Sequence, residues 1–153
     1  MSSENVLQEL LKLEEEIVFS RFTNEMAVEI GLKLYETARE LGKAITIDIT
    51  RNGQRLFHLA MEGTAADNEQ WIRRKNNVVN RFGHSSYYIS NMLQASRSTF
   101  EQVFEVSGAD YAAHGGAFPI IIRNVGIVGT VTVSGLPQKE DHELAVQVLR
   151  SFL

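Results

Sequence analysis

Residues 44–61 constrain the fold more than any other part of this chain. Over Ala44–Thr50 the apolar residues fall on alternate positions: Ile45, Ile47 and Ile49 point one way, and Thr46, Asp48 and Thr50 the other. Asn52-Gly53 follows, a pair that takes the positive φ torsions of a tight hairpin turn at little steric cost. Gln54–Met61 then returns, with Leu56, His58 and Ala60 facing opposite to Phe57, Leu59 and Met61. The segment reads as a β-hairpin. A second pair of strands, Ala117–Arg123 and Gly126–Ser134, is joined tightly around Asn124. Strands that arrive in adjacent pairs assemble into a mostly antiparallel sheet.

Helical periodicity accounts for most of the rest. Over residues 4–19, Val6, Leu10, Leu13 and Ile17 form a stripe, with Glu14, Glu15 and Glu16 on the solvated side. A second helix begins at Thr23 or Asn24, carries Ala27, Ile30, Leu34, Ala38 and Leu41 inward, and stops at Gly42. Asp67–Phe82 is helical, with Asp67 and Gln70 placed as a capping box. Ser86–Phe104 reads as a further helix interrupted by serines, and the last runs from about Lys139 to Phe152. This order places the chain in the α+β class, with helices flanking one sheet. No linker or internal repeat divides it, so residues 1–153 are expected to form a single domain.

Composition narrows the functional classes. A net charge of −4 argues against general nucleic-acid binding, which needs a basic surface. The absence of cysteine removes disulfides, thiolate metal sites and cysteine nucleophiles. The opening MSSENVLQELLKLEEE is acidic and amphipathic, unlike a secretory signal, and no stretch approaches the ~20 apolar residues of a membrane helix. A cytoplasmic protein without membrane attachment is the expectation.

Three places carry polar chemistry. His114 precedes Gly115-Gly116, where backbone N–H groups can approach and cradle an anion; an ordinary glycine turn is the competing reading. Ser134-Gly135-Leu136-Pro137 leads into Asp141-His142, a junction of strand end and helix start that suits an anionic ligand, or simple capping. Because strands 117–123 and 126–134 form a hairpin, these two ends should emerge at the same edge. The third place is the helix WIRRKNNVVNR. Lys75 shares a face with Trp71, Arg74 lies close to it, and Arg73 points elsewhere. A helix of this kind more often buries its tryptophan and solvates its cations. His58, within a strand, reads as a packed or sheet-surface histidine, and His84 sits in a glycine-serine break. No HExxH, GxSxG or phosphate-loop motif occurs, so neither a metal site nor a serine nucleophile is expected.

The segments HGGAFPIII and GIVGTVTVSGLPQKEDHELAV resemble the C-terminal signature of the GlcG/HbpS-like superfamily, also labelled the haem-degrading domain. The matching positions are Gly115, Gly116, Pro119, Gly126, Gly129, Val133, Ser134, Gly135, Asp141 and His142. WIRRKNNVVNRFGHSS resembles a shorter branch of that superfamily, found in bacteria and fungi. The resemblance covers the chain from about Ala27 onward and implies a profilin-like α/β/α sandwich on a five-stranded antiparallel sheet. Its fifth strand would be short and lie near Tyr111–Ala113. It also implies homo-oligomers, and haem as a ligand of some relatives. This chain departs from the pattern at Ser134–Pro137, in place of a more glycine-rich turn, and at Asp141-His142, in place of an acid pair.

Three functions fit these residues. One is a small-molecule-binding domain for an anionic or planar, tetrapyrrole-like ligand, held by His114, Gly115, Gly116, Ser134, Gly135, Asp141 and His142, with Arg73, Arg74 or Lys75 supplying positive charge. A second is an acid/base enzyme using His114 and His142 with Asp141 orienting one of them. A third is an oligomeric interaction protein whose N-terminal stripe Val6–Ile17 packs on a partner subunit.

Overall fold

Both hairpins form where the alternation places them. The computed structural model describes residues 2–153, with α1 at Ser3–Glu16, α2 at Asn24–Glu40, β1 at Thr46–Arg51 and β2 at Gln54–Ala60. Then come α3 at Asp67–Phe82, α4 at Ser86–Ala95, α5 at Phe100–Phe104, β3 at Ala117–Ile122, β4 at Gly126–Ser134 and α6 at Gln138–Arg150. β1 joins β4 antiparallel, giving a four-stranded sheet in the order β2-β1-β4-β3. Register decides what each face carries. Ile47 lies opposite Val133, and Ile49 and Phe118 both lie opposite Val131, so the centre of one face is apolar. α2 and α6 cover it with Ala27, Ile30, Leu34, Ala38, Leu144, Ala145, Val148 and Leu149. The same register sets Thr46 against Ser134, Asp48 against Thr132 and Thr50 against Thr130, making a polar face over which α3 lies.

Local chemistry sets the helix ends. Thr23 Oγ1 accepts a hydrogen bond from the Met26 N–H at 3.1 Å and starts α2. α2 ends as Gly42 turns to φ +67° and the Lys43 N–H reaches back to the Ala38 carbonyl. At α3 the expected capping box is absent: the N-cap is Ala66, at helical torsions, and Asp67 already lies inside the first turn. From there its side chain cannot turn back onto the free N–H groups, although its charge still faces the positive end of the helix dipole. Ser86–Phe104 is two helices rather than one. Arg97 takes φ +53°, the Ser98 N–H bonds the Leu93 carbonyl, and the Thr99 hydroxyl caps α5. Hydroxyl side chains that compete for backbone groups explain the break.

Two expectations are corrected. There are four strands among the described residues, not five, and residues 111–113 pair with no strand; the Ala112 N–H bonds the Arg74 carbonyl of α3 instead. An extra pairing does reach the sheet, from a different segment: Phe19 bridges the edge of β3, with N–H and C=O bonds to Ile121 and Arg123, each at 2.9 Å. The N-terminal stripe is also not left free. Leu10 and Ile17 are buried within the chain, and Glu14 of α1 bonds His84 and the Ser85 N–H at the start of α4. No helix among the described residues is long and apolar enough to cross a membrane.

Gly31 of α2 faces the ring of Phe57, and a Cβ there would overlap the ring carbons. Gly31→Ala is expected to cost about 1–3 kcal/mol of stability through overpacking, read as a lower denaturation midpoint at unchanged slope.

Candidate functional site at the paired hairpin ends

The segment entering β3 and the segment leaving β4 meet, as antiparallel pairing requires: the Val133 N–H donates to the Gly116 carbonyl at 3.0 Å. The start of α6 closes one side of this corner and the inner face of α3 the other. Between them lies a pocket of about 210 Å³, with Trp71, Lys75, His114 and Asp141 among its walls.

Lys75 is its centre. It sits one turn beyond Trp71 on the same face of α3, which carries its amine to the end of β4. Its Nζ donates to the Val133 carbonyl at 3.0 Å and to Asp141 Oδ2 at 3.1 Å, and its side chain is 3% exposed. Asp141 reaches back from the first turn of α6, and its Oδ1 accepts the Leu136 N–H at 3.0 Å. Gly116 makes room for the pair. It has φ +139°, and a Cβ there would stand 2.6 Å from Lys75 Nζ and overlap the Val133 carbonyl. The Gly115 N–H donates to Gln138 Oε1, which also accepts from Ser90, and Asn68 donates to the Ser134 hydroxyl. The outer wall is aromatic: the His114 ring meets Trp71 edge-on at 5.2 Å, and the Arg74 guanidinium lies 4.3 Å above the Trp71 ring.

Burial governs the charges. It lowers Lys75 from the usual lysine range, against the opposing pull of Asp141. It pushes Asp141 up to about 6, although Lys75 and two backbone N–H groups favour the carboxylate. His114 is held below the ordinary histidine value by burial first and then by Lys75 and Arg74, so its imidazole is neutral at pH 7.

The basic helix thus departs from the usual pattern of a core tryptophan and solvated cations: Trp71 is half-buried and Lys75 is buried. Arg74 stacks on the pocket wall. Arg73 lies away from the pocket, bound to the Ala109 carbonyl and the Asp110 carboxylate. His142 lies away as well. Adjacent helical positions point about 100° apart, so Asp141 enters the pocket while His142 turns to a second cavity of about 530 Å³ beneath Leu10 and Leu13 of α1. There it is 4% exposed, packed at a tilt against Tyr87 with ring centroids 4.7 Å apart, with Nδ1 lacking a hydrogen-bond partner, and burial lowers it to about 4. His114 and His142 therefore do not face one another across a common pocket.

One polar group escaped the sequence reading. Under α3, Asp48 is 1% exposed and holds His58 Nδ1 at 3.0 Å, Arg55 at 3.1 Å and the Thr50 hydroxyl at 2.7 Å. Glu69 takes the other nitrogen of His58, and Asn76 bonds both Thr132 and Asp48. The signal was present as two matching polar stripes, Thr46-Asp48-Thr50 and Thr130-Thr132-Ser134, which pair only if the two hairpins adjoin.

Comparison with known proteins places the chain in a family. The model of the haem-degrading protein HbpS-like family matches residues 22–150. The chain belongs to the HbpS-like family. Among curated relatives of this HbpS-like protein, a UPF0303 protein of Streptomyces coelicolor is 49% identical over 145 residues, covering 95% of this chain and 92% of that one. Among solved structures, the Ybr137w protein superposes with a TM-score of 0.89 at 38% identity, over 95% of this chain and 86% of the other. The PduOC:haem complex has a TM-score of 0.70 at 14% identity, over 89% and 96% of the two chains, and so shares the fold.

Proposed function

We propose that this HbpS-like chain is one profilin-like domain that binds a small anionic molecule at the Trp71–Lys75–His114–Asp141 corner and works as a homo-oligomer. The observation that carries the reading is a buried amine at the wall of an open pocket, beside an aromatic pair. The balance of charge favours an anion. Asp141 offsets Lys75, which leaves the Arg74 guanidinium on Trp71 and the positive end of α6, whose N-terminus has no side-chain cap. Volume limits the size. The pocket holds about 210 Å³, below the range of about 300–1,000 Å³ that encloses a drug-sized ligand. A molecule of a few heavy atoms fits.

Trp71 is the chain's one tryptophan, so its emission reports the pocket. Titration with small carboxylates should change that emission saturably and raise the melting temperature by mass action, about 2.7 kcal/mol of added stability at a hundred-fold excess over Kd. Emission and melting temperature that stay constant with every carboxylate would remove the reading.

A second reading, a tetrapyrrole, draws support from the PduOC:haem complex, which shares the fold. His114, whose imidazole lines the pocket, is the residue that would hold the metal of such a ligand. Haem titration separates the readings. A Soret shift present in the wild type and lost in His114→Ala supports the tetrapyrrole; identical spectra for the two proteins exclude His114 as its ligand.

A further inference from the structure

We propose that Lys75 is a reactive amine that condenses with the carbonyl group of a small oxo acid. The inference rests on the binding reading above and names the class of ligand. The chain has five lysines, and four of them, Lys12, Lys33, Lys43 and Lys139, are exposed and hydrated. Lys75 alone is buried and lines a cavity, with two of its three N–H positions engaged by Val133 and Asp141. Desolvation favours the neutral, nucleophilic amine, the usual way a protein activates lysine. The proton has a nearby acceptor in Asp141 Oδ2, at 3.1 Å.

The oxo acid's carboxylate has a matching place at the start of α6. Pro137 is the N-cap and provides no side-chain cap, and the Glu140 and Asp141 N–H groups are taken by the Pro137 carbonyl. The Gln138 and Lys139 N–H groups come first in the helix, and the Gln138 side chain lines the pocket beside Lys75. A molecule with a carboxylate adjoining a carbonyl presents one group to each of these walls of a single pocket of about 210 Å³.

The chemistry balances without a further reagent. Asp141 takes a proton from the Lys75 ammonium, and the Nζ lone pair attacks the carbonyl carbon. A C–N bond forms as the carbonyl π bond opens, and the oxygen takes a proton from the attacking nitrogen to become a hydroxyl. That hydroxyl leaves as water on receiving the proton held by Asp141, as the nitrogen lone pair forms a C=N bond. Ammonium and carbonyl become a protonated imine and water, Asp141 returns to the carboxylate, and no oxidation state changes.

The test uses pyruvate as the oxo acid and lactate as its non-carbonyl counterpart, each with the full chain and sodium cyanoborohydride. Peptide mapping by mass spectrometry then locates the reduced adduct. The expected result is an adduct at Lys75 exceeding that at each of the four exposed lysines, because desolvation favours the neutral amine there. Lys75→Arg, which keeps a cation for Asp141, should fold and lose the adduct. Adducts spread evenly over all lysines, or none at Lys75, overturn the proposal. Trp71 emission in the same samples distinguishes the two levels. If lactate and pyruvate both change it without an adduct, the covalent step falls and the binding reading stands. If neither changes it and no adduct forms, both fall.

Discussion

Lys75→Met is expected to lower stability by roughly 3–5 kcal/mol at pH 7, the usual cost of removing one partner from a buried ion pair. Methionine fills much the same volume, so the loss is electrostatic. Asp141 keeps its backbone bond from Leu136 but loses the one cation within hydrogen-bond reach, and the Val133 carbonyl loses a donor. The deficit should shrink as pH falls through about 6, below which Asp141 is protonated in both folded proteins and no charge is left stranded. Lys75→Met combined with Asp141→Leu should cost well under the sum of the single changes, since neither charge is then stranded. Urea denaturation of the four proteins measures this cycle. Additive losses would show that the two side chains do not act as a pair.

His142→Phe should reshape the dependence of stability on pH. The folded-state value of Asp141, about 6, lies above its ordinary 3.8, so its stabilising effect is complete below 3.8 and is lost as pH rises through 6. His142 behaves in the opposite sense: lowered from 6.5 to about 4, it contributes fully above 6.5 and loses its contribution as pH falls through 4. Each span corresponds to about 3 kcal/mol at 1.36 kcal/mol per pH unit, and between pH 4 and 6 the two slopes oppose. In the wild type they nearly cancel. Phenylalanine keeps the ring contact with Tyr87, removes the unpartnered Nδ1 and leaves the Asp141 slope exposed, so the variant should lose about 3 kcal/mol between pH 4 and 6 relative to the wild type. Denaturation midpoints at pH 4, 5, 6 and 7 read the difference directly. Parallel curves would mean that His142 titrates in the folded protein as it does in the unfolded chain.

The hairpins were legible because two short-range signals agree there, the alternation of isoleucines and the Asn52-Gly53 turn. The meeting of His114–Gly116 with the segment Ser134–His142 was expected from antiparallel pairing, and it holds as far as Asp141, while His142 turns to the second cavity. Lys75 was not legible in the same way. Lysine is ordinarily exposed, and its burial depends on a carboxylate 66 positions away in α6 and a bare Cα at Gly116. The polar sheet face was hidden for a related reason. Thr46, Asp48 and Thr50 look like a solvent side until α3 brings Asn76 and Glu69 over them. Tyr111–Ala113 was expected to be a strand only because the family resemblance implied a fifth one; the Arg74 carbonyl and the loop contacts of Arg73 hold that segment to α3 instead.

The β1–β4 pairing has a consequence for how the chain reaches this structure. Each hairpin closes over a few residues and can form on its own within microseconds. Their union is different: it aligns Thr46–Arg51 with Gly129–Ser134, strands separated by half the chain or more. The entropy of closing that loop is lost before its contacts are gained. The joining of the two preformed halves is therefore the slow step of folding, and the interval before it is when the unpaired edges of both hairpins stand open to other chains.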